Sequence, residues 1–218
     1  MAIVTKKTRS YDPEQTRETL VHAAVELFGE RGFHATSVQE LVEAAKVTKG
    51  AFYHHFESKE EVLRVVHDEF IDAYLERQRR ILGRPGTAHE HMYSLMHLAV
   101  TVVARYRPFV AVYLQERRAL SGSHNADVLR KRDEGMMSYR ATVRRGVEDG
   151  EFRPDIDPDV AAFGAVGMCD WTYLWYSPEG RLSAETIGHD FAMLFLRGVS
   201  AHPDEVEQRV AGAVLEEA

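Results

Sequence analysis

The sequence predicts an all-α protein, with three short N-terminal helices followed by a larger helical domain. Three observations carry that reading. Apolar residues recur every three or four positions along nearly the whole chain. No segment alternates with the period of two that a half-buried strand requires. The apolar stretches are separated by Ser, Thr and Asp caps and by Gly/Pro breaks that start and stop helices.

Composition bounds the class. The chain has 218 residues, 44% hydrophobic and 28% charged. A chain of that length can hide roughly 70% of its unfolded surface without staples. Its Leu, Val, Phe and Tyr content excludes disorder for most of its length. No apolar run approaches the roughly 20 residues of a membrane span. The start lacks the apolar core of a secretion signal, so a cytoplasmic location is expected. A lone cysteine, Cys169, permits no intrachain disulfide and fits a reducing compartment. The net charge of −7 argues against indiscriminate polyanion binding. The first 60 residues are nearly neutral, and Lys6, Lys7, Arg9, Lys46, Lys49 and Lys59 concentrate there.

The elements follow in order. Residues 1–12 are polar and basic without a period and read as a mobile arm. Asp12 and Pro13 open a first helix carrying Leu20, Ala23, Ala24, Leu27 and Phe28, with Gly32 as its stop. Ser37 and Glu40 form a capping box over Val38, Leu41, Val42 and Ala45, a helix of about two turns. Thr48 caps a third short helix, and Ser58 with Glu61 opens a long one to about residue 81. Gly83–Pro85 breaks the chain. Further helices are expected over 87–105, from 107 to about 120, over 125–149, from 158 through 176 without interruption, and from 183 to about 199. Residues 204–217 read as a short helix or a frayed end.

Two short helices joined by a tight turn, the second with its own cap, form a helix-turn-helix. Its second helix must expose one face to the major groove while Phe52 and Phe56 hold the other in a core. Thr48, Lys49 and Gly50 suit the end of such a helix: a hydroxyl, a cation, and a residue without bulk beside a phosphate. Tyr53 and His54, one turn on, can reach phosphates or base edges. Lys59 could contact a flanking phosphate.

These residues carry a resemblance. The stretch 16–63, and above all VTKGAFYHHFESKEEVL, resembles the DNA-binding domain of the TetR family of bacterial repressors. That likeness implies a DNA-binding domain over 13–57, a ligand-binding and dimerisation domain over 58–201 and a charged tail over 202–218. It implies a homodimer through the last two long helices, a palindromic double-stranded operator as partner, and release by a small effector. The implied DNA contacts are Ser37, Thr48, Lys49, Tyr53, His54 and Lys59. Lys46 stands where the family usually has Gly. Left-handed there, it costs about 1 kcal/mol and adds a candidate phosphate contact.

The C-terminal segment FRPDIDPDVAAFGAVGMCDWTYLWYSPEGRLSAETI is similar to a branch that includes repressors of fatty-acid and steroid catabolism, which implies a hydrophobic effector such as an acyl-CoA. The twelve candidate ligand residues are Phe70, Tyr74, Met92, Met96, Phe109, Tyr113, Met136, Tyr139, Met168, Trp171 and Trp175, all at core spacing, together with Arg140. The cations available for an anionic head group are Arg117 and Arg118, or Arg140, Arg144 and Arg145. The default for these arginines is a solvated face paired with Glu116 and Glu148. His89, His91 and His97 read as a solvated helix face, and His54 and His55 point too far apart to chelate one ion. Neither a metal nor a cofactor is expected, and no nucleophile, phosphate-loop or paired-carboxylate motif suggests an enzyme. A regulator of other genes, such as those of drug efflux, an activator, or a regulator needing no ligand remains open on the same fold.

Overall fold

The computed structural model describes residues 13–115 and 122–216, with no side-chain detail for 122–125. The basic arm and Arg117 and Arg118 lie outside the described residues. Helix α1 runs Pro13–Arg31, α2 Val38–Ala44, α3 Lys49–His55 and α4 Lys59–Leu82. Then come α5 (Ala88–Arg105), α6 (Arg107–Gln115), α7 (Gly122–Glu148), α8 (Pro158–Asp170), α9 (Thr172–Trp175), α10 (Ala184–Val199) and α11 (Val206–Arg209). No regular strand occurs among the described residues. A single antiparallel bridge, Phe152 to Ser200, ties the α7–α8 turn to the end of α10.

The caps act where the sequence places them. Ser37 accepts from the Glu40 N–H while the Glu40 carboxylate accepts from the Ser37 N–H, a complete capping box. Thr48 accepts from Ala51 N, and Ser58 from Glu61 N. Gly32 and Gly150 both have positive φ, at 85° and 75°, and close α1 and α7.

Two cores result. Leu20, Ala24, Phe28, Leu41, Phe52 and Phe56 form the centre of the smaller one. The larger surrounds α5, fourteen of whose eighteen residues are buried. Helix α4 belongs to both: Val62, Leu63 and Val66 pack in the first and Ile81 in the second. Helix α6 lies against α1, with Phe109 edge-on to the His22 ring and Val112 near Gly29.

One expectation needs correction, and one open choice is resolved. The helix opened by Pro158 does not run unbroken to Tyr176. It ends at Asp170 and resumes for one turn at Thr172, whose hydroxyl donates to the Cys169 carbonyl at 2.6 Å. A side chain that bonds back to the preceding turn bends a helix. Of the two readings of residues 204–217, the short helix is the one the structure shows. The tail makes a 3-10 turn and α11, buries Val206, and ends with Glu216 paired to Arg80 and Arg84 at 3.0 and 2.8 Å.

Candidate nucleic-acid interface and effector cavity

The helix-turn-helix presents a polar surface on a dry base. Phe52 is fully buried, whereas Lys49, Gly50, Tyr53 and His54 are exposed, Tyr53 by 58%. Lys49 and Tyr53 stand one turn apart, as do Gly50 and His54, so they make two adjacent strips of α3. Ser37 and Thr48 are exposed at the two helix starts. Between them, Val47 N bonds Val42 O and Lys46 N bonds Glu43 O, at 2.9 and 3.1 Å. This is a Schellman closure, and Lys46 occupies its left-handed position with φ 56°.

Lys59 is placed differently. Its ammonium donates to the Phe33 and Thr36 carbonyls at 2.7 and 2.6 Å and lies 4.2 Å from the Phe33 ring centre. The geometry makes it a brace between the start of α4 and the α1–α2 turn.

In the larger domain, α4, α5, α6, α7 and α8 enclose a cavity of about 80 Å³. Phe70, Tyr74, Tyr113, Met136 and Tyr139 line it. Phe70 and Tyr74 also wall a neighbouring groove of about 220 Å³ that includes Phe109. Six of the twelve ligand candidates therefore meet around one region.

The other six do not border this cavity. Met92 and Met96 are fully buried in the core around α5, away from either space. Met168 packs against that core from α8. Trp171 and Trp175 are 63% and 47% exposed, because the break after Asp170 turns them outward. Arg140 sits on the outer face of α7, 2.9 Å from Asp159 and over the Phe163 ring. Arg144 and Arg145 pair with Asp159 and Asp149 at 4.0 Å, not with Glu148.

The polar cavity residues Gln78, Arg132 and Asp170 were not anticipated. A signal existed: Asp170 is the one acidic residue in the run AAFGAVGMCDW. Burial pushes its carboxyl up to about 6, with Arg132 opposing. Burial likewise raises the Tyr74 and Tyr139 hydroxyls and the Cys169 thiol. Cys169 is fully buried and points at the Met96 carbonyl.

The three α5 histidines are buried, not solvated. His89 Nδ1–H donates to Glu151 at 2.7 Å, and its Nε2 meets the Ser200 hydroxyl at 3.0 Å. His91 contacts the Arg84 carbonyl at 3.1 Å. His97 has no partner for Nδ1 among the described residues. Burial lowers the proton affinity of all three. No group of three or more His, Cys, Asp or Glu side chains able to hold a metal occurs among the described residues. No single described helix is long and apolar enough to cross a membrane.

A capped helix with a polar outer face, carried on a helical domain with an internal cavity, defines a helix-turn-helix regulator. Residues 20–66 match the model of bacterial regulatory proteins of the tetR family, and residues 85–199 match the tetracyclin repressor-like C-terminal domain. The chain belongs to the TetR family of transcriptional regulators. It is 30% identical over 190 residues to the transcriptional repressor KstR2 of Mycolicibacterium smegmatis, covering 86% of this chain and 92% of that one. The structure of the ketosteroid transcriptional regulator KstR2 of Mycobacterium tuberculosis superposes with a TM-score of 0.80 at 27% identity, covering 84% of this chain and 94% of that one. AibR in complex with isovaleryl coenzyme A and operator DNA gives 0.76 at 27% identity, covering 82% and 97%.

Proposed function

We propose that the protein is a ligand-responsive dimeric repressor that frees a palindromic operator when a hydrophobic effector, such as an acyl-CoA, enters the larger domain. The exposed polar face of α3 over its dry base is the observation that carries this reading. Ser37, Lys46, Thr48, Lys49, Gly50, Tyr53 and His54 supply the DNA contacts, with Lys59 holding the unit together behind them. Two such heads on one dimer would read half-sites roughly 34–36 Å apart, or a multiple of that.

An unpartnered apolar face supports the dimer. Val160, Phe163, Trp175 and Leu194 are exposed on α8, α9 and α10. Nothing lies within 4 Å of where a Cβ would stand on Gly164, Gly167 or Gly198. Bare glycines beside large apolar side chains let a second pair of helices approach closely, and burying that face would remove an aggregation hazard.

The effector route follows from the cavity walls. At about 80 Å³ the cavity is well below the roughly 300–1,000 Å³ of an occupied ligand site. An effector must displace the Phe70 and Tyr74 wall toward the adjoining groove. Tyr113 and Val110 of α6 are part of the same lining, and α6 rests on α1. A ligand that binds better to the displaced arrangement therefore shifts the heads away from operator spacing, and without that preference it shifts nothing. The likeness to a ketosteroid transcriptional regulator and to AibR, whose structure is in complex with isovaleryl coenzyme A, supports the effector class. Cytoplasmic residence accompanies operator binding.

The test is a fluorescence-anisotropy titration with DNA upstream of the protein's own gene, at several salt concentrations, with and without acyl-CoA thioesters. Tight binding that weakens steeply with salt and collapses with thioesters is expected. Tight binding indifferent to the thioesters would overturn the effector class, and no binding there or to random-sequence DNA would overturn the α3 reading.

A further inference from the structure

We propose that Gln78, Asp170 and Tyr74 form a polar end to the cavity that selects an uncharged effector carrying a hydroxyl group and rejects an anion there. The inference rests on this cavity being the effector site.

Gln78 is 1% exposed, and neither its Oε1 nor its Nε2 makes a well-formed hydrogen bond among the described residues; the Tyr74 hydroxyl is the polar neighbour of its amide. A buried amide in that state is costly, and native proteins rarely leave one so. It continues the buried stripe of Ile71 and Leu75 on α4, a stripe otherwise apolar at these positions. Facing it in mid-α7 is Gly135, where an added Cβ would stand 3.4 Å from Leu75 Cδ2 and 3.7 Å from Gln78 Oε1. Glycine weakens a helix interior, so two unfavourable choices coincide at one spot. Both make sense if the amide serves a guest.

The hydrogen-bond directions specify the guest. Tyr139 donates to the Leu95 carbonyl at 3.0 Å. The 3.1 Å contact between the two tyrosine hydroxyls therefore uses the Tyr74 proton, leaving the Tyr74 oxygen as an acceptor. Gln78 Oε1 and the Asp170 carboxylate are acceptors too. Gln78 Nε2 is the matching donor, and Arg132 at the rim offsets the Asp170 charge. An acceptor-rich end with one amide donor fits a hydroxyl, which gives one proton and takes another. An anion brings acceptors alone to an end already rich in them, so any anionic part of an effector is better placed away from it.

The test uses calorimetry on the full chain without DNA, with octan-1-ol, octyl methyl ether and octanoate as probes. Octan-1-ol is expected to bind about tenfold more tightly than the other two, the effect of one satisfied buried partner. Gln78→Leu is expected to bring alcohol and ether within about twofold of each other. Asp170→Asn, which keeps the shape, is expected to raise octanoate affinity and serves alone if the Leu variant does not fold. Equal binding of the three probes, binding of none, or an unchanged ranking in both variants would overturn the inference. Operator release is read separately: an alcohol preference without release by any effector would sink the proposed function and leave this selectivity standing.

Discussion

The DNA-reading head and the effector domain solve opposite problems. The head keeps its polar groups outside or satisfied: caps close its helix starts, a Schellman turn closes α2, and Lys59 takes up two loop carbonyls. Its base is dry and rigid. The effector domain places polar atoms inside and leaves some without a well-formed hydrogen bond, at Gln78, His67 and His97. A part that must present one fixed surface gains from complete satisfaction. Under the proposed function, a part that changes with a guest would keep unfinished bonds for the guest to complete, or for the second arrangement to satisfy.

That contrast can be broken. The largest effect is expected from Phe52→Ala, which empties the base of the head and costs about 3–5 kcal/mol. A chemical denaturation curve should show the head melting first; an unchanged curve would deny it a dry core. Tyr53→Ala and Lys49→Ala should lower operator affinity about 10- to 100-fold, from roughly 1–3 kcal/mol per contact, with unaltered melting. Wild-type affinity in both would remove α3 from the interface.

His67 sharpens the other side. It is fully buried on α4 against the Tyr113 ring, and burial lowers its proton affinity to about 4, with Asp68 opposing. The unfolded chain binds this proton first, near 6.5, so the group's contribution is intact above that pH and is lost as pH falls toward 4. Between pH 7 and 5 the loss is about 2 kcal/mol. The difference in urea-derived unfolding free energy between wild type and His67→Met should change by that amount; a constant difference would show His67 to be unstrained. Lys59→Met should destabilise the head by about 1–2 kcal/mol through its lost charged hydrogen bonds. A flattened salt dependence of operator binding in that variant would restore Lys59 as a phosphate contact. The smallest change is Lys46→Gly, expected to add about 1 kcal/mol by relieving φ 56°, and a loss of stability there would refute the strain.

The same contrast decides what could be read from the sequence. Ser37, Thr48 and Ser58 each act within three residues, so a local pattern reveals them. His89 could not be read that way. Its partners Glu151 and Ser200 lie 62 and 111 positions away. Helix α5 is buried nearly all round, and such a helix shows no stripe to mark its outer side. Met92 and Met96 went to the core for the same reason. The aromatic residues near the end of α8 looked internal because nothing nearby announced the Thr172 bend.

The His89 cluster carries one more lesson. Its order of proton donors, Ser200 to imidazole and imidazole to Glu151, is that of a resting serine hydrolase. Yet Ser200 and His89 are 1% and 0% exposed, and the Ser200 oxygen already accepts the His202 N–H. No carbonyl carbon can reach that oxygen. A nucleophile is defined by the empty space in front of it as much as by the residues behind it, and here the fold has used the same three side chains as a clasp.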